Sequence, residues 1–253
     1  MKKKDYLREY RDNYNSDLYN YSIAIDESDI FIRSDKMLAT KAYCYTKKYR
    51  DEIIRYIRTY PRFGKTHSPY TFDVEPEGII MAMIRASSAA NVGPMASVAG
   101  AIAEHVGREM LNDCEEVILE NGGDIFLRTI KERTVGAFAG SSTFSNRVFF
   151  RIDPKMTPLG ICTSSGTVGH SFSYGNADAV TVISPSATQA DAWATSICNM
   201  IKAPSDIEGA LERIKGMQGI SGVVALMGDE IGIWGDLRIK KRDEEGIITF
   251  KIY

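Results

Sequence analysis

Asp191 and Thr195 stand four residues apart in the run QADAWATSI, residues 189–197. On a helix that spacing places a carboxylate and a hydroxyl one above the other. Two hard oxygen donors so arranged suit Mg2+, which takes one or two protein oxygens and completes its shell with water and substrate phosphates. Ala187, Ala190, Ala192 and Ala194 keep the surrounding surface low, so another backbone or a ligand can approach. The same residues also fit a plain amphipathic helix with Thr188, Asp191, Thr195, Asn199 and Lys202 turned to solvent, and spacing alone favours that reading. Two further segments carry chemistry. Thr163, Ser164, Ser165, Gly166 and Thr167 offer hydroxyls and successive N–H groups, as an anion nest does, or form an ordinary strand-ending turn. In Asn121-Gly122-Gly123-Asp124 the glycines let a ligand reach the backbone and Asp124 can accept its hydrogen bonds; a type I′ hairpin turn needs the same glycines. A Ser-His-Asp set of Ser164 or Ser165 with His170 and Asp178 lacks the G-x-S-x-G elbow, which argues against a hydrolase. No dinucleotide-binding G-x-G-x-x-G, Walker A or H-E-x-x-H motif is present.

The elements that position these residues follow from periodicity. Residues 179–183 are a β-branched apolar run, expected as a strand buried on both faces. Ser184-Pro185-Ser186 breaks it, and Ser186 with Gln189 has capping-box spacing, predicting a helix from there to about residue 202. Upstream, residues 18–33 read as a hairpin, and residues 38–60 as a helix carrying Ala42, Tyr45, Tyr49, Ile53 and Tyr56 on its core face. Residues 77–90 and 95–111 follow as helices, Pro94 suiting the first turn of the latter. His105, with no second ligand at helical spacing, reads as a rim or core residue. Strands are expected at 116–119, 124–128, 134–139, 147–152 and 159–162, a helix at 206–217, a hairpin at 222–233, and an edge strand in the tail. Residues 116–127 and 222–233 are both strand–turn–strand units that follow a helix, which suggests a duplicated α+β architecture of antiparallel sheets with packed helices.

Length and charge bound the function. The 253 residues suffice for one domain, or for two intimately packed halves of about 1–140 and 141–253. A net charge of −2 without basic clusters argues against nucleic acid as partner. Cys44, Cys114, Cys162 and Cys198 are dispersed, as reduced thiols in a cytoplasmic protein are. The start has no apolar signal core, and the longest apolar stretch, 92–103, is too short to span a bilayer.

In order, the segments NVGPMASVAG, ENGGDIFL, CTSSGT, GHSFSYG, AVTVIS and QADAWATSI resemble those of the ApbE-like superfamily, whose founding members are FAD:protein FMN transferases. The family pattern runs D-x-G-G-I-A-K-G, G-G-D, T-S-G, H-I-x-D-P, V-T-V and A-D-A-x-A-T-A, and the likeness spans residues 91–233. The resemblance implies a T-fold-related architecture. It makes Asp191 and Thr195 the side-chain ligands of Mg2+, with the carbonyl of Ala96 a third, and FAD the substrate or ligand. Asn91 and Ser97 take the places of an Asp and a Lys at the nucleotide. Gly122, Gly123, Asp124, Thr163, Ser164, Ser165 and Gly166 would line it, and His170 becomes a catalytic candidate beside Asp191, though without the I-x-D-P that follows it in the family. The pattern is that of the superfamily's shorter branch. The activity implied is FMN transfer to a Ser or Thr of an acceptor protein, or cleavage of the diphosphate. The alternatives are a non-catalytic binder of a flavin or other phosphorylated cofactor, and an assembly subunit using the Tyr-rich N-terminal region. A homo-oligomer is compatible with each.

Overall fold

The structure is a computed structural model that describes residues 17–137, 148–167, 173–243 and 246–249. Strands β1 (Tyr19–Ile25) and β2 (Ser28–Ser34) form the expected hairpin, and three helices follow: α1 (Ala39–Thr59), α2 (Gly78–Ala89) and α3 (Val98–Met110). The hairpin β3 (Val117–Asn121) and β4 (Asp124–Arg128) comes next, then β5 (Arg133–Ala137) and β6 (Val148–Ile152). The chain continues with β7 (Leu159–Ser164), β8 (Ala179–Ser184), helices α4 (Ala187–Met200) and α5 (Asp206–Ile214), and the hairpin β9 (Gly222–Met227) and β10 (Glu230–Gly235). A last hairpin, β11 (Ile239–Asp243) and β12 (Gly246–Thr249), ends the described chain.

Eight strands make one antiparallel sheet in the order β1-β2-β3-β4-β7-β8-β9-β10. Its two halves repeat one connection: two strands, then helices, then two strands. Four more strands, β12-β11-β6-β5, make a second sheet. The period of two decides what each face buries. Ile30, Ile32, Leu119, Phe126, Cys162, Val180, Val182, Val223 and Ala225 meet the helices in one core. Their alternates Leu127, Leu159, Ile161, Ala179, Ile183, Val224 and Leu226 meet Val148, Phe150 and Ile152 of the second sheet in another. The large sheet is therefore the middle of three layers, and every residue of β8 is buried. Among the described residues no helix is long and apolar enough to cross a membrane.

Three expectations shift. The helix over 95–111 starts at Val98, because Pro94–Ser97 winds as a 3-10 turn before it. Thr163 and Ser164 belong to strand β7 rather than to the turn after it. The tail forms a hairpin on the second sheet rather than a lone edge strand. The Tyr-rich face of α1 packs as a core rim: Tyr49 is buried, its ring 5.1 Å from that of His105, and Tyr56 stacks edge-on against Phe63 at 4.9 Å.

The start of α4 is held from outside its own sequence. Ser186 Oγ accepts from Gln189 N at 3.3 Å, the forward half of a capping box. Ser186 Oγ, Thr188 N and Thr188 Oγ1 in turn donate to Oε2 of Glu104 on α3, at 2.6, 3.0 and 3.0 Å. Arg108 holds the other oxygen at 2.8 Å. A carboxylate thus sits at the positive end of α4. Burial raises the Glu104 carboxyl, but the bonds from Ser186, Thr188 and Arg108 outweigh it and hold it below its ordinary 4.5. Glu104→Gln is expected to lower stability at pH 7 by about 1–3 kcal/mol in urea unfolding. Because the folded value is depressed, the contribution is present above the unfolded value and fades as pH falls through the folded one. The gap between wild type and variant should therefore close in acid.

Candidate functional site

The spacing of Asp191 and Thr195 left open whether they face solvent. They do not: they are 9% and 8% exposed, and Thr188 is 3% exposed. The cause is the depth at which α4 lies. A Cβ on Gly100 of α3 would fall 2.3 Å from the Ala187 carbonyl oxygen and 2.8 Å from Asp191 Cβ. A Cβ on Gly160 of β7 would fall 2.2 Å from Ala187 Cα. Only glycine at both positions lets the helix reach the sheet and α3 together.

That contact sets Asp191 against the first turn of α3, whose Gly100 N donates to Asp191 Oδ2 at 2.9 Å. Across from it lies Asp124, at the start of β4 and on the helix face of the sheet, since Phe126 two residues on is in the helical core. Register extends the pairing of Ile125 with Ile161 to place Asp124 beside Cys162 on β7. The Cys162 thiol donates to the Ala187 carbonyl at 3.3 Å. Asp124 Oδ1 is buried with no hydrogen-bond partner, and so is Ser164 Oγ, two residues along β7 on the same face. The turn Gly122-Gly123, with φ of 70° and 111°, caps this end of the sheet, and Asn121 Nδ2 anchors it to the Ala99 carbonyl of α3 at 3.1 Å. Both glycines have open space where a Cβ would be.

The electrostatics follow from burial. Desolvation pushes the Asp124 carboxyl up and the charge of Glu120 adds to this, against the pull of the Cys162 thiol and the Thr163 amide. Asp191 is pushed well above the carboxylate range by burial and then by Asp124, against the Gly100 and Ala99 amides. Two buried carboxyl groups, one of which raises the other, call for a proton or a cation in a dry site. Among the described residues no group of three or more His, Cys, Asp or Glu is placed to hold a metal ion. Ala96 is half-buried, and its 3-10 turn packs on α4, the helix that carries Asp191 and Thr195.

The other candidates fall at varying distance from this centre. The Ser97 hydroxyl donates to Pro94 O at 2.8 Å, and Asn91 is exposed at the end of α2 with φ of 55°. Thr163 points to the opposite face of the sheet, its hydroxyl 2.9 Å from that of Thr181. The N–H groups of Gly166 and Thr167 bond within the turn region, to Ala177 O and Ser165 Oγ. Asp178 is held by Thr167 Oγ1 and Gly228 N. His170 lies outside the described residues. Gly160 was not singled out, and Gly100 and Cys162 stood only as end residues of NVGPMASVAG and CTSSGT; the signal of the glycines was small size, inside a helix and a strand. Two clefts on the outer helices share none of these residues. One, of about 450 Å³, is lined by Glu75, Gly78, Met81 and Arg85, and the other, of about 370 Å³, by Arg55, Tyr56, Thr59 and Ile80.

Comparison with known proteins finds relatives of the chain and of its fold. The model of a family described as AbpE bacteria matches residues 11–228. A "UPF0280 protein" of Methanococcus aeolicus is 43% identical over 206 residues, covering 79% of this chain and 83% of its own length. Another, from Methanocaldococcus jannaschii, is 40% identical over 221 residues, covering 85% and 90%. Among solved structures, the flavin transferase ApbE of Vibrio cholerae matches with a TM-score of 0.57 at 13% identity, over 93% of this chain and 97% of that one. The apo flavinyl transferase ApbE of Pseudomonas stutzeri matches with a TM-score of 0.57 at 10% identity, over 95% and 96%. At those identities the likeness is one of fold.

Asp124→Asn removes an ionisable carboxyl that is buried beside Asp191, while keeping a polar group at the site. In the absence of divalent cations it is expected to raise stability at pH 7 by about 1–3 kcal/mol in urea unfolding. A loss instead would mark Asp124 as a structural carboxylate.

Proposed function

The chain belongs to the family described as AbpE bacteria, and from that premise we propose that it binds a flavin dinucleotide together with Mg2+ and passes FMN to a Ser or Thr hydroxyl of an acceptor protein. The observation that carries this reading is the burial of Asp191 beside Asp124, whose Oδ1 has no partner. A buried carboxyl oxygen without a hydrogen-bond partner, beside a second buried carboxyl, suits a site that a ligand completes. The names of the structural neighbours, flavin transferase and flavinyl transferase, supply the ligand class.

On this reading Asp191, Thr195 and the Ala96 carbonyl hold the cation. When bound, Mg2+ supplies charge stabilisation to the diphosphate as AMP leaves. The chain's own residues supply position. The amides of Ala99 and Gly100 fix the Asp191 carboxylate, so its remaining oxygen is presented at a set angle. The Gly122-Gly123 turn, free of side chains, lets the nucleotide lie against backbone. Ser164 offers a buried hydroxyl to the same ligand. The walls of α3, α4 and the sheet keep water from the carboxylate pair, which strengthens every charge interaction there.

Titration of the protein with FAD, followed by flavin fluorescence, tests this. Binding is expected only with Mg2+ present, and Asp191→Asn should weaken it at least 100-fold. AMP release with an acceptor peptide would then separate a transferase from a binder. Absence of binding with and without Mg2+ would refute the reading.

A further inference from the structure

The eight-stranded sheet ends on β1 at one edge and on β10 at the other, and the two edges are unlike. β10 begins on the exposed Glu230, and Gly232 and Gly235 leave gaps in its rows of side chains. Charges, prolines and bulges are the devices by which an edge strand blocks further pairing. β1, with the sequence YNYSIAI, has no charge, no proline and no glycine, and it pairs with β2 along its full length without a bulge.

The turn fixes which backbone groups of β1 are free. Asp26 and Glu27 form a two-residue loop, Asp26 with φ of 48°, so Ile25 and Ser28 are the first hydrogen-bonded pair. An antiparallel ladder alternates from there. Tyr21 and Ile23 therefore bond to β2, while Asn20, Ser22 and Ala24 direct N–H and C=O away from the sheet. Among the described residues nothing pairs with those outward groups, and all three residues are exposed.

What fits this edge follows from its own sequence. Place a two-fold axis at Ser22, so that Ser22 faces Ser22 of a second copy and Asn20 faces Ala24. Tyr21 then faces Ile23, and Tyr19 faces Ile25, so each ring meets a β-branched chain, a favourable cross-strand pair. Tyr21 and Ile25 already pack on the helical core from that face, whereas Tyr19 is 54% exposed and would be covered. The ends match in charge. The two carboxylates of the turn, Asp26 and Glu27, share the Arg50 guanidinium at 3.0 Å each, which leaves the turn negative. Continued by two residues, the register sets Glu27 beside Asp17 of the second copy, which the exposed Lys131 and the Arg133 guanidinium both hold. A negative end thus meets an ammonium, twice over by symmetry. A foreign strand has no reason to carry both matches, and a second copy has them by construction.

We propose that β1 pairs antiparallel with β1 of a second copy, joining two sheets into one across an isologous two-fold interface. The experiment is sedimentation of the full chain together with amide hydrogen exchange, each at several concentrations. Wild type should sediment as a dimer at about 100 μM and shift toward monomer near about 1 μM. Over that range exchange at Asn20, Ser22 and Ala24 should slow about 10-fold, while Tyr21 and Ile23, bonded to β2 in either state, change little. Ser22→Lys, which sets two ammonium groups opposite each other, should weaken the dimer at least about 10-fold. Ser22→Pro, which removes an outward N–H that β2 does not use, should do the same. Ser22→Val should keep the dimer. The unfolding midpoint of Ser22→Lys, read at dilution where wild type is monomeric, should be unchanged. Should Ser22→Pro disturb the fold, Ser22→Lys and the exchange rates decide. A monomer at about 100 μM refutes the proposal. A dimer that survives Ser22→Lys, or that leaves exchange at Asn20, Ser22 and Ala24 unaltered, uses another surface and refutes it too.

Discussion

Helix α4 touches α3 and strand β7 with no side chain between them at Ala187, and the site exists because of that contact. Gly100 and Gly160 clear the space, and Glu104 and Arg108 then lock the helix start by satisfying Ser186 and Thr188. A Cβ at either glycine would meet backbone rather than the yielding end of a side chain, so the helix would have to move outward. Asp191 would then rise toward solvent, lose the amides of α3, and leave the neighbourhood of Asp124. The interior position of one carboxylate is thus set by the absence of two side chains some distance from it in sequence.

The antiparallel architecture was legible because its signals are local. The Asn-Gly-Gly turn, the β-branched run before α4, the prolines that bound α1 and α3, and the repeated strand–turn–strand units all act within a few residues. Hence the helix and hairpin assignments met the structure within a few residues, and the family resemblance agreed with the fold. What spacing could not decide was which face of α4 is buried. Thr188, Asp191, Thr195 and Asn199 read as a polar stripe, and polar stripes ordinarily face water. Tertiary contacts overrode that, through glycines whose role depends on what lies opposite them. The same limit applied to Thr163 and Ser164. They looked like neighbours in one turn, but as consecutive strand residues they point to opposite faces, so only Ser164 shares the side of Asp191. The second sheet was legible in its strands but not in its layering, because β6 and β11 pair across a long stretch of chain.

Burying two carboxyl groups is costly, and the middle layer shows how the fold sustains it. β8 is apolar-covered on both faces and tied on both edges, and the eight-stranded sheet carries a separate core on each side. Such a frame tolerates a local cost at Asp124 and Asp191 that a smaller core would not. Two of the buried polar atoms left without a hydrogen-bond partner, Asp124 Oδ1 and Ser164 Oγ, lie on that frame's strands rather than on loops, which favours a site held in shape before its ligand arrives.

The most direct test of this account is a crystal structure with FAD and Mn2+ in place of Mg2+, read by the anomalous scattering of manganese. The account predicts one manganese at about 2.0–2.3 Å from an Asp191 carboxylate oxygen and the Thr195 hydroxyl, with the diphosphate on its far side. Manganese bound elsewhere, or a flavin seated with Asp191 still buried and metal-free, would contradict it.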